Sequence, residues 1–372
     1  MSYPILYDPS ETNFENNGIG ILSDCVVCEC TEEANGIFEL NIQYDSYGIH
    51  FEEIELRSII KAKVDRFRDP QLFRVYSISK PMLSVSTIMA AHISYDLSWI
   101  PVSPFSANNV SEALNGLKTN AVIECPFEFW TDKNTASSFS SKVPASIRSK
   151  LGGSEGSILD VYGGEYEFDN YAVRLYNNRG EDRNFSVRYG KNLTNLTQDE
   201  NCANVYTGIY PYWADEEGNN FVELSEKILT APGEYDFQRI KVVDMSSEFE
   251  EIPTESELRS KANSYMSNNE IGIPDVSISV SFIQLDQTAE YSVLSFIERV
   301  SLFDTVNVEF PKMKVSATAK VVKIVYDVIL ERFKSITLGK GKKIYQDSVS
   351  ARFSKVEKEI SGIKTKISKA KE

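Results

Sequence analysis

Apolar and polar residues alternate along most of this chain, and the alternating runs are short. Residues 37–44 place Phe38, Leu40, Ile42 and Tyr44 on one side of an extended segment. The Asn35-Gly36 pair before them favours the backbone angles of a tight hairpin. Residues 59–64 and 72–78 predict two more strands, joined through Asp69-Pro70. Strands of this length with polar turns between them suit a small barrel or sandwich. The pattern returns after residue 160. Residues 171–176 and 185–190 read as a hairpin about Asn177-Asn178-Arg179-Gly180, and a second hairpin is expected from Val205 to Leu224, turning at 215–220. Residues 276–283 alternate almost without fault, and runs within 305–338 complete a second small barrel.

Helical spacing interrupts the strands. Val110, Ala113, Leu114 and Leu117 recur at i, i+3, i+4 and i+7, which predicts a short amphipathic helix after Asn108-Asn109. Thr254 with Glu257 three residues later forms a capping box. Leu258, Ala262, Tyr265 and Met266 fall on one face of the helix it opens. A third stretch differs in kind. Val349, Phe353, Val356, Ile360, Ile363 and Ile367 are separated by gaps of 4, 3, 4, 3 and 4, the heptad signature of a coiled coil. Phe353, Ile360 and Ile367 take position a, and Val349, Val356 and Ile363 take position d. Ile at both positions shifts the preference from two strands toward three or four. In a parallel coil Arg352 meets Glu357 of a neighbouring helix and Glu359 meets Lys364, each pair opposite in sign. The stripe is short and contains Gly362, so the coil by itself would be marginal.

These elements divide the chain into an N-terminal barrel-like domain (1–105), a mixed α/β segment (106–160), a β-rich insertion (161–249), a helix plus strand (250–283) that belongs with 106–160, a second barrel-like domain (284–340) and a coiled-coil stem (341–372). The expected fold class is mainly β with α+β insertions. Charge sharpens the division. The formal net charge is -15, yet residues 341–372 hold nine Lys/Arg against four Asp/Glu, so the acidic excess lies wholly in the body. An acidic body repels phosphate and excludes a sequence-independent nucleic-acid binder. The first residues lack the basic start and apolar run of a secretory signal. No run approaches the ~20 apolar residues of a membrane helix. A protein made in a cytoplasm, without a membrane anchor, is the expectation.

Candidate chemistry is sparse. Cys25, Cys28 and Cys30 form C-x-x-C-x-C, but strand alternation puts Cys28 and Cys30 on one face and Cys25 on the other. No second pair completes a tetrahedral metal site. The only histidines are His50 and His92, neither in a motif that would serve zinc or a nucleophile, and His92 reads as structural. Gly152, Gly153 and Gly156 lack the ending of a phosphate loop, and Glu155 would repel phosphate. Asp215, Glu217 and Asn219 imitate a calcium loop with Gly218 misplaced, and read as a hairpin tip. Glu128 with Asp132 is one carboxylate pairing among 54 acidic residues, which makes it uninformative for glycosidase chemistry. Trp99, Trp130 and Trp213 would suit sugar stacking but sit among core-like neighbours, where packing is the ordinary role. No catalytic residue, cofactor or metal ligand is expected.

Several ordered stretches nevertheless share a pattern: Gln71-Leu72-Phe73-Arg74-Val75-Tyr76, Ala91-His92-Ile93-Ser94-Tyr95-Asp96-Leu97, Leu151-Gly152-Gly153 through Asp160, Gly163-Gly164-Glu165-Tyr166-Glu167-Phe168-Asp169-Asn170, Tyr189-Gly190-Lys191-Asn192-Leu193, Pro211-Tyr212-Trp213, Leu302-Phe303-Asp304-Thr305-Val306 and Tyr326-Asp327-Val328-Ile329. The set resembles the N-terminal region of tail-tip hub, or tail-associated lysin, proteins of siphophages and prophages of Gram-positive bacteria, over nearly all of residues 1–345. The resemblance implies a fold related to contractile-phage baseplate hubs, with two β-barrel-like domains per subunit and a homotrimer closed into a ring. It also implies a place in the virion. There the ring would join the tail tube, through a distal tail protein and other tail-tip proteins, to a fibre or lysin module, and would close or line the DNA channel. Family members often carry a peptidase or muramidase module after the stem. Nothing here resembles that module, so no enzyme is expected; the alternative is a cell-wall endopeptidase or hydrolase with its site within 106–283.

Overall fold

A computed structural model describes residues 2–339 apart from 66, 82–84, 155, 189–192, 202–204, 216–219, 250, 269–270, 273–274, 283–299 and 311–314. The predicted coil residues Val349, Phe353, Val356, Ile360, Ile363 and Ile367, with Arg352, Glu357, Glu359 and Lys364, lie outside the described residues. The described chain forms two compact units. One is built from residues 1–197 and from 278 onward, the other from 198–277.

In the first unit the early hairpin forms where its pattern predicts. Strands Cys25–Glu33 and Phe38–Asp45 pair antiparallel, and Asn35 in the turn takes a left-handed φ of 48°, which Asn tolerates better than most residues. Phe38, Leu40, Ile42 and Tyr44 are buried while Asn41 and Gln43 are exposed, so the alternation becomes one packed face. Full burial of each such side chain contributes about 1.5–3 kcal/mol. Strand Val85–His92 pairs with Phe38–Asp45, Gln71–Ser79 pairs with Val85–His92, and Ile59–Ala62 pairs with Gln71–Ser79, all antiparallel.

The late strands Thr305–Phe310, Val315–Asp327 and Arg332–Gly339 form an antiparallel meander. Strand Val315–Asp327 also pairs with Cys25–Glu33, setting Tyr326 opposite Cys30. The early and late strand sets, expected as two small barrels, are therefore parts of one hydrogen-bonded sheet, each covering an edge the other would leave open.

Two local expectations are corrected. Between Cys25 and Val27 the register shifts, so that strand carries an extra residue there. Such a bulge turns the preceding side chain to the other face, and Cys25 is buried with Cys28 and Cys30 rather than opposed to them. Strand Ala172–Tyr176 does not pair with the strand after it. Its antiparallel partner is Glu165–Asp169, joined through Asn170 at φ 49°, and its parallel partner is Glu128–Thr131. Strand Asp182–Arg188 runs parallel to Thr305–Phe310 instead. The backbone of the 177–180 segment is held by Glu165 Oε2, which accepts from the Arg179 amide at 2.6 Å.

Helix Val110–Thr119 is capped by Asn109, whose side chain accepts from the Glu112 amide at 2.9 Å, and buries Val110, Ala113, Leu114 and Leu117.

The second unit is local. Strands Gly208–Ala214 and Phe221–Glu223 form the predicted hairpin, and Ile240–Asp244 adds parallel on the other side of Gly208–Ala214. Helix Glu255–Asn268 opens on the predicted box: the Thr254 amide donates to Glu257 Oε2 at 2.8 Å, and the Glu257 amide donates to Thr254 Oγ1 at 3.3 Å. Leu258, Ala262 and Met266 pack with Ile209, Trp213, Leu224, Val243 and Met245, with Tyr265 against them. The strands and the helix thus share one core.

Candidate functional site

In the first unit, the Glu165–Asp169 and Ala172–Tyr176 hairpin is tied at both ends to segments far away in sequence. At its tip, the Asn170 amide donates to Gln71 Oε1 at 2.9 Å, and Asn170 Oδ1 accepts from the Leu72 amide at 2.9 Å. At its base, Asn35 donates to Gly164 O at 3.1 Å and accepts from the Tyr166 amide at 2.8 Å. Between these ties lies a chain of ion pairs. Arg68 donates to Glu32 at 2.7 Å and to the Phe168 carbonyl at 3.0 Å. Arg179 donates to the Tyr166 carbonyl at 3.0 Å and lies 3.6 Å from Glu32 and 3.5 Å from Glu167. Arg174 bridges Glu167 and Asp169 at 3.0 and 2.9 Å.

The ion pairs border a cavity of about 190 Å³, lined among others by Glu32, Arg68, Glu167, Arg179, Asp304 and Tyr326. Such a volume holds several waters. Burial raises the Glu167 carboxyl, but Arg179, Arg68 and Arg174 outweigh it and leave its pKa below the ordinary glutamate value. Asp169 is lowered in the same way against its own desolvation, by Gln71, Arg174 and Arg68. Carboxylates held ionised and already paired are poor general acids. The cluster joins segments distant in sequence.

The other candidates are similarly engaged. His92 is wholly buried and stacks on Phe38 with ring centroids 4.3 Å apart. Gln71 Oε1 faces its Nε2 at 3.1 Å, and the Ser94 amide donates to its Nδ1 at 3.3 Å. This pattern requires the neutral tautomer with the proton on Nε2. Burial pushes the pKa well below the usual imidazole range, and Arg68 and Arg148 push the same way. Neither nitrogen is left for a substrate. His50 lies against Glu53. Burial drives the thiols of Cys28 and Cys30 well above their ordinary range, so they remain protonated and unsuited to metal or nucleophilic work. Gly153 and Gly156 take positive φ, and the Gly156 amide donates to Asp160 Oδ2 at 2.8 Å, where a phosphate loop would offer that donor to its ligand. Glu128 pairs with Lys118, and Asp132 accepts from the Asn177 amide at 2.7 Å. Asp215 holds Asn220 across the hairpin, its Oδ2 accepting from the Asn220 amide at 3.0 Å, while 216–219 lie outside the described residues. Trp213 is buried in the second unit, Trp130 is 48% exposed with its ring edge-on to Tyr176 at 5.1 Å between centroids, and Trp99 is 77% exposed.

The site residues predicted from the heptads lie beyond the described chain, so what the structure offers on function is its fold. Residues 181–348 match the model of the prophage endopeptidase tail family. The chain resembles prophage tail proteins. Three solved structures extend the likeness. The prophage tail protein gp18 of Listeria monocytogenes superimposes with a TM-score of 0.58 at 18% identity, over 96% of this chain and 100% of that one. The tail protein of Neisseria meningitidis has a TM-score of 0.58 at 8% identity, over 92% and 99% of the two chains. The tail protein of prophage MuSo2 of Shewanella oneidensis has a TM-score of 0.58 at 10% identity, over 92% and 98%. At these identities the likeness is one of fold. No curated protein matches the chain. The family model covers the second half of the 1–345 stretch expected from the motifs, and over the first half the likeness to the solved structures is one of fold.

Proposed function

We propose that this chain is a structural component of a phage or prophage tail tip: a hub that assembles as a homotrimeric ring between the tail tube and a distal fibre or lysin. The observation that carries the reading is a fold shared over 92–96% of the chain with three tail proteins, two of them from prophages. The heptads of 349–367 supply the means of assembly, since Ile at both a and d favours more than two strands in parallel register. A formal charge of -15 suits a wall that DNA must pass without adhering. On this reading the partners are two further copies, a distal tail protein, other tail-tip and tube proteins and a downstream fibre or lysin module, and the location is the virion. The engaged state of His92, His50 and the cysteines supports a scaffold over a hydrolase, whatever the family's name says.

Light scattering tests it. The full chain should show a mass near three times 42.0 kDa at high concentration, and Ile360→Asp with Ile363→Asp should shift it toward the single chain. A full chain that stays single at every concentration would overturn the proposal. Muralytic activity abolished by His92→Ala or His50→Ala would favour a cell-wall hydrolase instead.

A further inference from the structure

The sheet of the 198–277 unit has a second face. Ile209, Trp213 and Val243 enter the core beneath the helix, so the alternation of side chains sends Tyr210, Tyr212 and Val242 to the opposite side. Phe221 joins them from the neighbouring strand. On this face Phe221 is 53% exposed and Val242 is 62% exposed. Tyr210 lies opposite Val242, and Tyr212 lies between Glu223 and Asp244. The Tyr212 and Phe221 rings stack with centroids 5.9 Å apart and planes 26° from parallel.

Both tyrosine hydroxyls on this face are committed to carboxylates. The Tyr210 hydroxyl donates to Glu223, and the Tyr212 hydroxyl donates to Asp244 Oδ2 at 3.0 Å. Each phenol has then spent its only proton and turns acceptor lone pairs outward. Ser246 steadies the other oxygen of Asp244 through its amide at 2.9 Å, and Lys227 lies 3.2 Å from Glu223 Oε1. Beside the Lys227 ammonium, the face therefore presents carboxylate and phenol acceptors next to the stacked Tyr212 and Phe221 rings.

We infer that this face binds a neutral saccharide chain. A pyranose ring offers the complement, with hydroxyl donors around its rim and an apolar C–H face that lies against an aromatic ring. A phosphate-bearing polymer would meet Glu223 and Asp244 with like charge. A protein surface covering Phe221 and Val242 would have to bury both carboxylates, at a desolvation cost that hydroxyl donors offset by bonding to them.

The test is calorimetric titration of the full chain with three neutral hexasaccharides, of N-acetylglucosamine, glucose and mannose, and with a glycerol-phosphate teichoic acid. At least one hexasaccharide should bind with a dissociation constant below about 1 mM. Tyr212→Ala with Phe221→Ala should weaken that binding by about tenfold or more, without changing the mass seen by light scattering. Should that double variant fail to fold, Val242→Glu, at a 62% exposed position, should weaken binding in the same direction. Trp99→Ala, exposed in the other unit, should leave it unchanged. The inference is overturned if none of the hexasaccharides binds, if the teichoic acid alone binds, if Trp99→Ala removes binding, or if the face variants alter the oligomeric mass.

Discussion

The two units each cover a sheet, and they do it with different materials. In the first, residues 29–33 pair with 323–327, and the surrounding segments are joined through buried charge. The Arg68, Glu32 and Arg179 side chains there are 16%, 12% and 9% exposed. In the second, the strands and helix are sequence neighbours closing on one apolar core, and the ion pairs Arg259–Glu226, Arg259–Glu255 and Lys261–Glu248 lie at the surface. The difference teaches what each kind of charge does. Segments that meet across most of the chain need a specific partner to fix where they meet, and a buried ion pair can specify it despite its desolvation cost. A contiguous unit finds its register through short loops and needs no such device.

Arg68→Ala should break this contrast most visibly. It leaves Glu32 in a buried site with one guanidinium fewer, and removing one partner of a buried pair costs about 3 kcal/mol or more. Denaturant unfolding should show that loss. Hydrogen exchange should place the new opening in Cys25–Glu33 and Val315–Asp327 while the amides of Gly208–Ala214 keep their protection. Equal loosening of both units, or a loss under about 1 kcal/mol, which is the range of a surface pair, would erase the distinction between buried and surface charge.

Thr254→Ala is the matching lesion in the second unit, and a smaller one. It removes the side chain that accepts from the Glu257 amide at 3.3 Å and donates to Glu257 Oε2 at 2.8 Å. Loss of such a cap costs about 1 kcal/mol. Exchange should rise through helix Glu255–Asn268 and leave Cys25–Glu33 as it was. A serine at 254 should restore most of the protection, because the hydroxyl is what matters.

The same contrast explains which parts of the fold the sequence revealed. The capping box, the Val110–Leu117 stripe and the Asn35-Gly36 hairpin are written in residues a few positions apart, and local spacing is what a sequence displays. The pairing of Cys30 with Tyr326 has no local signature, so one sheet read as two barrels. The bulge at Cys25 was hidden for a similar reason, since alternation assumes one residue per step. The roles of Arg68, Arg174 and Arg179 had no local signature either, because an isolated arginine gives no sign that carboxylates from other segments will enclose it. Of functional chemistry the sequence displayed mainly the heptads. The exposed Tyr210, Tyr212 and Phe221 face was not legible, because the alternation that marks those strands does not say which side will be covered. Trp99, expected to pack, is 77% exposed for the same reason: apolar neighbours in sequence need not be neighbours in space.

Acid should produce the smallest effect, and it separates the units by mechanism. Glu167 and Asp169 have folded pKa values below their ordinary ones, because neighbouring guanidiniums outweigh the burial that would raise them. A carboxyl depressed on folding contributes stability that is fully present above its unfolded value, near pH 4, and that fades as the pH falls through the folded value. The denaturant midpoint of the first unit should therefore hold level at neutral pH and decline below about pH 4. Glu167→Gln should flatten that decline, and added salt should change it little, since the Glu167 and Arg179 side chains are 20% and 9% exposed and such pairs are weakly screened. In the second unit Glu226 is pushed down to about 2 by its hydrogen bonds with Arg259, but this pair is exposed, so whatever it contributes should diminish with salt. A first-unit acid limb as salt-sensitive as that of the second would mean its ion pairs behave as surface charge, and the contrast between the two units would fail at its source.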